Sequence, residues 1–400
     1  MKESLPIQTN RSSALQFVLL FGLISALGDI TYESGRGVSG PYLALLGASA
    51  AAIGTVSGLG EFLGYALRLV SGYVAARTRA YWAAVFLGYG LLVSIPLMAY
   101  ANRWELAAAL LIVERIGKAI RSPAKDTMLS YATHSMGRGW GFAIHEALDQ
   151  LGGIIGPLLF SAVFALRNSY RDGFSVLWIP VILIIAVILA VRLRVPNPEK
   201  LESAPSAAET QQTAEKRLPR VFWVYALFTF FGVAGFVGFP ILAYHWVARS
   251  VFPAEHIPIL YAVAMGVDAL AALAVGKRYD KVGLKSLRLI PLLTLLVPFF
   301  AISQNDILAI LSVALWGVVM AIHETTMRAA VADLISKQQR AFAYGIFNTL
   351  YGVAWLIGGA AMGVLYDVST LGLFIYVIVF ELAALLAFLF LQRATRRAAV

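Results

Sequence analysis

Asp29, Glu33 and Arg36 stand four and three residues apart inside one long apolar run. That spacing stacks acid, acid and base on a single helix face. Two carboxylates a turn apart repel when both are charged, the situation in which one of them exchanges a proton. A static ion-pair network closed by Arg36 and Arg115 is the competing reading of the same residues. Ionisable residues recur in other apolar runs: Glu61 and Arg68, Glu114 and Arg115, His145 with Glu146 and Asp149, Asp268, His323 with Glu324, and Glu381. Each costs at least ~2.5 kcal/mol in hydrocarbon on insertion scales, so a chain keeps such residues where they pair or line water. His145 and Asp149 share a face and are suited to relaying protons or binding a cation. A metal would need further ligands, which His323 and Glu324 could offer, but a hydrogen-bonded gate is the simpler reading.

The elements that must carry these residues are membrane helices. Of 400 residues 60% are apolar and only 14% charged, against ~25% charged in soluble domains, which excludes a water-soluble fold. Apolar runs punctuated by charge, Gly, Pro and Asn predict twelve spans, at roughly 14–44, 50–76, 81–101, 105–127, 138–166, 174–194, 220–247, 257–277, 285–303, 306–330, 340–366 and 370–393. The one long hydrophilic stretch, 195–219, reads as a linker between an N-terminal bundle (1–194) and a C-terminal bundle (220–400) of six helices each. Twenty-five of the 32 lysines and arginines fall at the termini and even-numbered loops, and four at the opposite ends. Both termini are therefore expected in the cytoplasm, with the chain in the cytoplasmic membrane and the first span uncleaved. The formal charge of +10 is a topology signal of this kind and does not point to nucleic acid. Cysteine is absent, and no phosphate-loop, dinucleotide or His-Glu-x-x-His pattern occurs, so neither an enzyme nor a cofactor is expected.

The halves read as copies. Arg121 precedes Asp126 by the same spacing as Arg328 precedes Asp333, and Arg138-Gly-Trp-Gly-Phe leads to Gly156-Pro157 as Arg340-Ala-Phe-Ala-Tyr leads to Gly358-Gly359. Between spans eight and nine, Gly276-Lys-Arg-Tyr-Asp280-Lys281-Val-Gly283-Leu-Lys285 resembles the cytoplasmic loop motif of the major facilitator superfamily. Its glycines would permit a tight turn and its Asp would cap a helix. The equivalent Gly72 to Arg79 loop has lost the Asp and the second Gly. Glu114 to Asp126, together with Asp29, Glu33 and Gly47 to Gly54, is similar to a largely uncharacterised bacterial subgroup labelled efflux permeases. Gly152, Gly156 and Pro157 are similar to the superfamily's antiporter motif, although in any apolar helix such glycines more often serve packing.

That resemblance implies an all-α membrane protein of two pseudo-symmetric six-helix bundles, rocking as a monomeric secondary transporter. It also implies that spans one, four, seven and ten line the cavity, favouring Asp29, Tyr32, Glu33, Arg36, Glu114, Arg115, His323 and Glu324. Asp29, Glu33 and Glu114 are the expected proton exchangers, with Glu146 and Asp149 assisting. Arg115 is their expected counter-charge, answering Asp29, Glu33 or Glu146. Span seven is strongly aromatic (Phe222, Phe228, Phe236, Phe239), which predicts a greasy second wall with Asn348, Tyr351 and Trp355 as polar handles. The leading expectation is proton-driven efflux of a small amphipathic organic solute. Uptake of an organic anion, divalent metal export, and a membrane sensor that transports nothing are the alternatives.

Overall fold

The computed structural model describes residues 11–133, 138–201, 218–303, 305–335 and 339–398, so most of the expected linker lies outside the described residues. Among them there are helices and no strands. The first half comprises α1 (Arg11–Leu45), α2 (Ala50–Thr78), α3 (Tyr81–Gly90), α4 (Ser94–Leu97), α5 (Trp104–Thr133), α6 (Arg138–Arg167), α7 (Tyr170–Val176) and α8 (Trp178–Arg194). The second comprises α9 (Arg220–Ala234), α10 (Phe239–Ala248), α11 (Ile257–Val282), α12 (Leu289–Ala301), α13 (Asp306–Ala321), α14 (Met327–Leu334), α15 (Arg340–Val368) and α16 (Thr370–Ala398).

Ten stretches are long and apolar enough to cross a bilayer. One of them, Ala254–Ala301, holds both α11 and α12, while α5, with 30 residues, is long enough but carries too many charges to meet the apolar criterion. Including these, the described residues make twelve helical passes. Several passes are composite. The third kinks through short 3-10 turns around α4, the sixth is divided at Leu177, and the seventh breaks between Ala234 and Phe239. The tenth passes from α13 to α14 through a π-helical turn at Ile322–Thr326, a local widening that re-aims side chains. Polar side chains start several helices by accepting orphan backbone N–H groups: Ser49 from Ala52, Ser169 from Asp172, and Asn305 from Ile307 and Leu308.

One continuous hydrophobic core is built from residues of 218–391, and two others are built from residues of 17–191. The halves meet along two seams, α2 against α15 and α6 against α11. We call the end of the bundle that carries Arg194 and Arg220 the linker face and the other end the far face. The far half is sealed. Gly40 lies against the Pro240 backbone, Gly54 against Gly359, and Gly363 against Ala50, so the missing side chains let backbones of opposite halves touch. Asp367, at the far end of α15, accepts backbone N–H bonds from Ala50 (3.1 Å) and Ala51 (2.8 Å) and so caps α2 across the seam. Ser161 of α6 donates to the Glu255 carbonyl at 2.9 Å.

Candidate functional site

Between the halves, on the linker side of this seal, lies a cavity of about 340 Å³. Its wall is charged on every side. The acids are Asp29, Glu33, Asp126, Glu146, Asp149, Asp268 and Glu324, and the bases are Arg36, Arg68, Lys118, Lys125 and Arg328, with His145 among them. A pocket of about 50 Å³ adjoins it, lined by Tyr32, Tyr65, Glu61, Arg115, Tyr351 and Trp355 together with several of the same charged residues. Beyond Tyr32 and Arg36, toward the far face, lies a void of about 40 Å³.

A layer of ion pairs separates that void from the cavity. Glu61 of α2, 6% exposed, accepts from Arg36 at 3.1 Å and from Arg115 at 2.5 Å. The Arg115 guanidinium and the Lys118 ammonium lie over the Tyr32 ring, at 4.6 and 4.1 Å from its centre. Arg115 therefore pairs with an acid of the second span, not with Asp29, Glu33 or Glu146 as the sequence led us to expect. Spacing along one helix shows which side chains share its face, whereas this pairing depends on how α2 crosses α5. Glu33 reaches the other half: it accepts from the Tyr261 hydroxyl of α11 at 2.5 Å and lies 3.8 Å from Arg36. Asp29 lines the cavity a turn nearer the linker face and forms no ion pair among the described residues.

Glu114 has a different place. It is 1% exposed and held by Arg121 at 3.2 Å, and Arg121 also donates to the Gly88 carbonyl. It borders only the small far-side void, so its expected place among the proton exchangers of the cavity does not match its surroundings. The repeat that joins Arg121 to Arg328 and Asp126 to Asp333 has diverged accordingly. Arg328 and Asp126 line the cavity, whereas Arg121 turns into the first bundle and Asp333 accepts from Tyr279 at 2.6 Å.

On α6, His145 and Asp149 meet as their spacing predicts, at 3.8 Å. Lys125 lies 3.7 Å from Asp149 and donates to Ser25 at 3.2 Å, while Ser25 is also 3.0 Å from His145. This ammonium supplies the positive charge that a metal would bring, and no metal-holding group of three or more His, Asp or Glu is found among the described residues. His323 is 1% exposed, stacked edge-on to Phe236 and Tyr351, and borders none of these cavities. The neighbouring Glu324 does line the main cavity, and Asn348 borders neither cavity. Gly152 and Gly156 pack on the α1 backbone at Ala26 and Ile30, and Pro157 sits inside an unbroken α6, which makes this motif a packing surface.

The expected greasy second wall is confined to the adjoining pocket, where Tyr351 and Trp355 stand beside Met320. Phe222, Phe228, Phe236 and Phe239 are at most 1% exposed within the second core, and the second half offers the cavity Met265, Asp268, Met320, Glu324 and Arg328 instead. In the loop after span eight, Asp280 is exposed and caps nothing among the described residues. Gly283, at φ +59°, ends α11, flanked by the exposed Lys281 and Lys285, and Gly276 has open space around it. The cavity residues that escaped the sequence reading as site residues include Asp268, Arg68, Lys118, Lys125 and Tyr65. The signal that could have found Asp268 is the insertion cost of a lone carboxylate in an apolar span. Glu381, one of the ionisable residues of the apolar runs, is 3% exposed beside Gly235 at the break of the seventh pass.

Helices crossing as two bundles around a charged central cavity define a membrane transporter fold. The family model of the Major Facilitator Superfamily matches residues 12–297 and 250–400, and the chain belongs to that family. It is 43% identical over 376 residues to the Uncharacterized protein Rv2265 of Mycobacterium tuberculosis, covering 93% of this chain and 92% of the relative. It is 29% identical over 391 residues to the Uncharacterized MFS-type transporter MJ1317 of Methanocaldococcus jannaschii, covering 94% of each. Among solved structures, a bacterial homolog of the human lysosomal transporter Spinster, inward-facing and unoccupied, matches with a TM-score of 0.75 at 14% identity. That match covers 96% of this chain and 97% of the other.

Proposed function

We propose that the protein is a proton-coupled secondary transporter that exports a small polar organic solute from the cytoplasm by alternating access. The observation that carries this reading is a carboxylate-rich cavity between the halves, sealed at the far face and reaching the linker face, where Asp126 and Glu146 are exposed. The lysine and arginine distribution supports placing that face in the cytoplasm of a cell whose inner membrane the chain spans. Direction follows from access: the solute enters from the cytoplasm, and protons enter from the other side once the halves have tilted. Glu33 is the coupling residue of this reading. Among the cavity acids it is the one whose hydrogen bond crosses the halves, to Tyr261, so tilting exchanges that donor for water and a proton. Asp29, one turn closer to the linker face, is placed to pass the proton onward.

The test uses purified protein in proteoliposomes. Solutes that raise its melting temperature at either of two pH values are supplied inside or outside, and proton movement is followed with an entrapped dye. Export in exchange for protons is expected, with Glu33→Gln keeping solute exchange and losing its drive by the pH gradient. Solute flux with no accompanying proton movement would remove the coupling from the reading.

A further inference from the structure

The charges on the cavity wall are partly sorted: carboxylates act on Arg68 (Asp126, Glu61) and on Arg328 (Glu324) only from beyond contact distance, and several charges have no partner at contact distance. Arg36 is matched by Glu33 and Glu61, and Lys125 by Asp149. Arg68 and Arg328 have no carboxylate within 4.0 Å among the described residues, and both are gathered at Tyr65 on the α2 and α15 side. The Arg68 Nε is buried without a hydrogen-bond partner. On the α6 and α11 side the pattern inverts. Asp268 is 3% exposed, lines the cavity and has no hydrogen bond or ion pair among the described residues. The charged groups acting most strongly on it are Glu324, Glu33 and Glu146, all carboxylates, with Arg36 behind them.

Charges of opposite sign confined in one small cavity would collapse into ion pairs unless the helices held them apart. Holding them apart leaves each desolvated and unmatched, a cost that a ligand of complementary charge removes. A cation alone would meet Arg68 and Arg328, an anion alone would meet the carboxylates, and a neutral solute would leave both uncompensated. The volume, about 340 Å³, lies at the small end of the ~300–1,000 Å³ typical of ligand pockets.

Resting on the transport reading above, we propose that the substrate is a small dipolar organic solute. Its ammonium group donates to Asp268 and Glu146, its carboxylate or comparable anionic group accepts from Arg68 and Arg328, and its carbon skeleton lies against Tyr65 and Tyr351. The carboxylates outnumber the bases on the wall, so protons have sites left when the solute is bound.

The experiment is a melting-temperature screen of the purified full chain against four sets of small solutes matched in size. The sets are dipolar (5-aminopentanoate and the common amino acids), cationic (pentylammonium and its relatives), anionic (pentanoate and its relatives) and neutral (pentanol and small sugars). Stabilisation confined to the dipolar set is expected. Arg68→Gln and Asp268→Asn should each weaken binding of the hits roughly 10- to 100-fold, the worth of a charged hydrogen bond. Arg68→Lys should restore part of it, and unchanged elution of the variants on gel filtration reports that they fold. Hits in a single-sign or neutral set, no hit in any set, or variants that bind dipolar solutes like the parent would each overturn the proposal. The flux assay separates this from the transport reading. Dipolar hits that bind and never cross the liposome membrane would leave the site standing and remove transport, and flux of a non-dipolar solute would do the reverse.

Discussion

Glu61 decides what the cationic residues of the first bundle can do. It takes one guanidinium from α1 and another from α5, so two arginines share one carboxylate in a nearly dry layer. Neutralising it leaves Arg36 and Arg115 facing each other, with Glu33 beside Arg36 and, near Arg115, Glu114, which is already held by Arg121. Breaking a buried pair in this way typically costs about 3–5 kcal/mol. Glu61→Gln is therefore expected to lower the melting temperature of the detergent-solubilised protein sharply. Glu61→Gln combined with Arg115→Met should recover part of the loss, because the unmatched cation is gone; a double variant no more stable than the single would refute the shared-carboxylate account. The sequence displayed every member of this layer as a costly intramembrane charge but not the pairing. Glu33 and Arg36 were legible as neighbours on one helix face, and so were His145 and Asp149. Glu61 with Arg115, and Glu33 with Tyr261, join residues 54 and 228 positions apart, and no local spacing encodes such a contact.

At the scale of helices, what was legible was whatever runs: an all-helical chain of long apolar passes. What was not legible lies where a helix departs from its regular form. The break at Gly235–Gly238 and the π turn at Ile322–Thr326 occur inside apolar runs whose periodicity continues through them. That turn separates His323, buried among aromatics, from Glu324, in the cavity. Arg79 occupies the repeat position of Gly283, and both have positive φ, +55° and +59°, with their N–H groups bonded to the carbonyls of Ala75 and Tyr279. The two turns differ in ψ, 17° at Arg79 and −142° at Gly283, so the first-half loop has lost its glycine and taken up the left-handed helical conformation, which for a non-glycine residue costs roughly 1–2 kcal/mol. Arg79→Gly should then stabilise the protein by ~0.5–1 kcal/mol after the greater chain entropy of glycine is charged against it. Gly283→Ala should destabilise it, since its φ and ψ lie close to a region that is nearly exclusive to glycine. Melting curves of the two variants moving in opposite directions is the expected result.

For the molecule as a whole, alternating access requires that the far seal be strong enough to hold and weak enough to open. Its parts are of that kind: two backbone N–H groups of α2 bonded to Asp367, one serine bond from α6 to the Glu255 carbonyl, and glycine contacts with no side chain to interlock. A carboxylate capping a helix N-terminus is worth about 1–2 kcal/mol, a factor of roughly 5–30 in relative populations. Asp367→Ala is therefore expected to raise the far-open population by that factor without unfolding either bundle. Gly54→Val attacks the same seal differently, because its side chain would enter the space held by the Gly359 carbonyl, and should prevent full closure. The absence of native cysteine allows clean spin labelling of Leu45→Cys and Val368→Cys, at the far ends of α1 and α15, in these backgrounds. Longer label-to-label distances are expected in both variants, growing on adding a bound solute only where the cavity still closes behind it. If Asp367→Ala leaves the distance distribution unchanged, the cap is decoration on a seal held elsewhere, and the thin layer of Arg36, Glu61 and Arg115 becomes the barrier between the two sides.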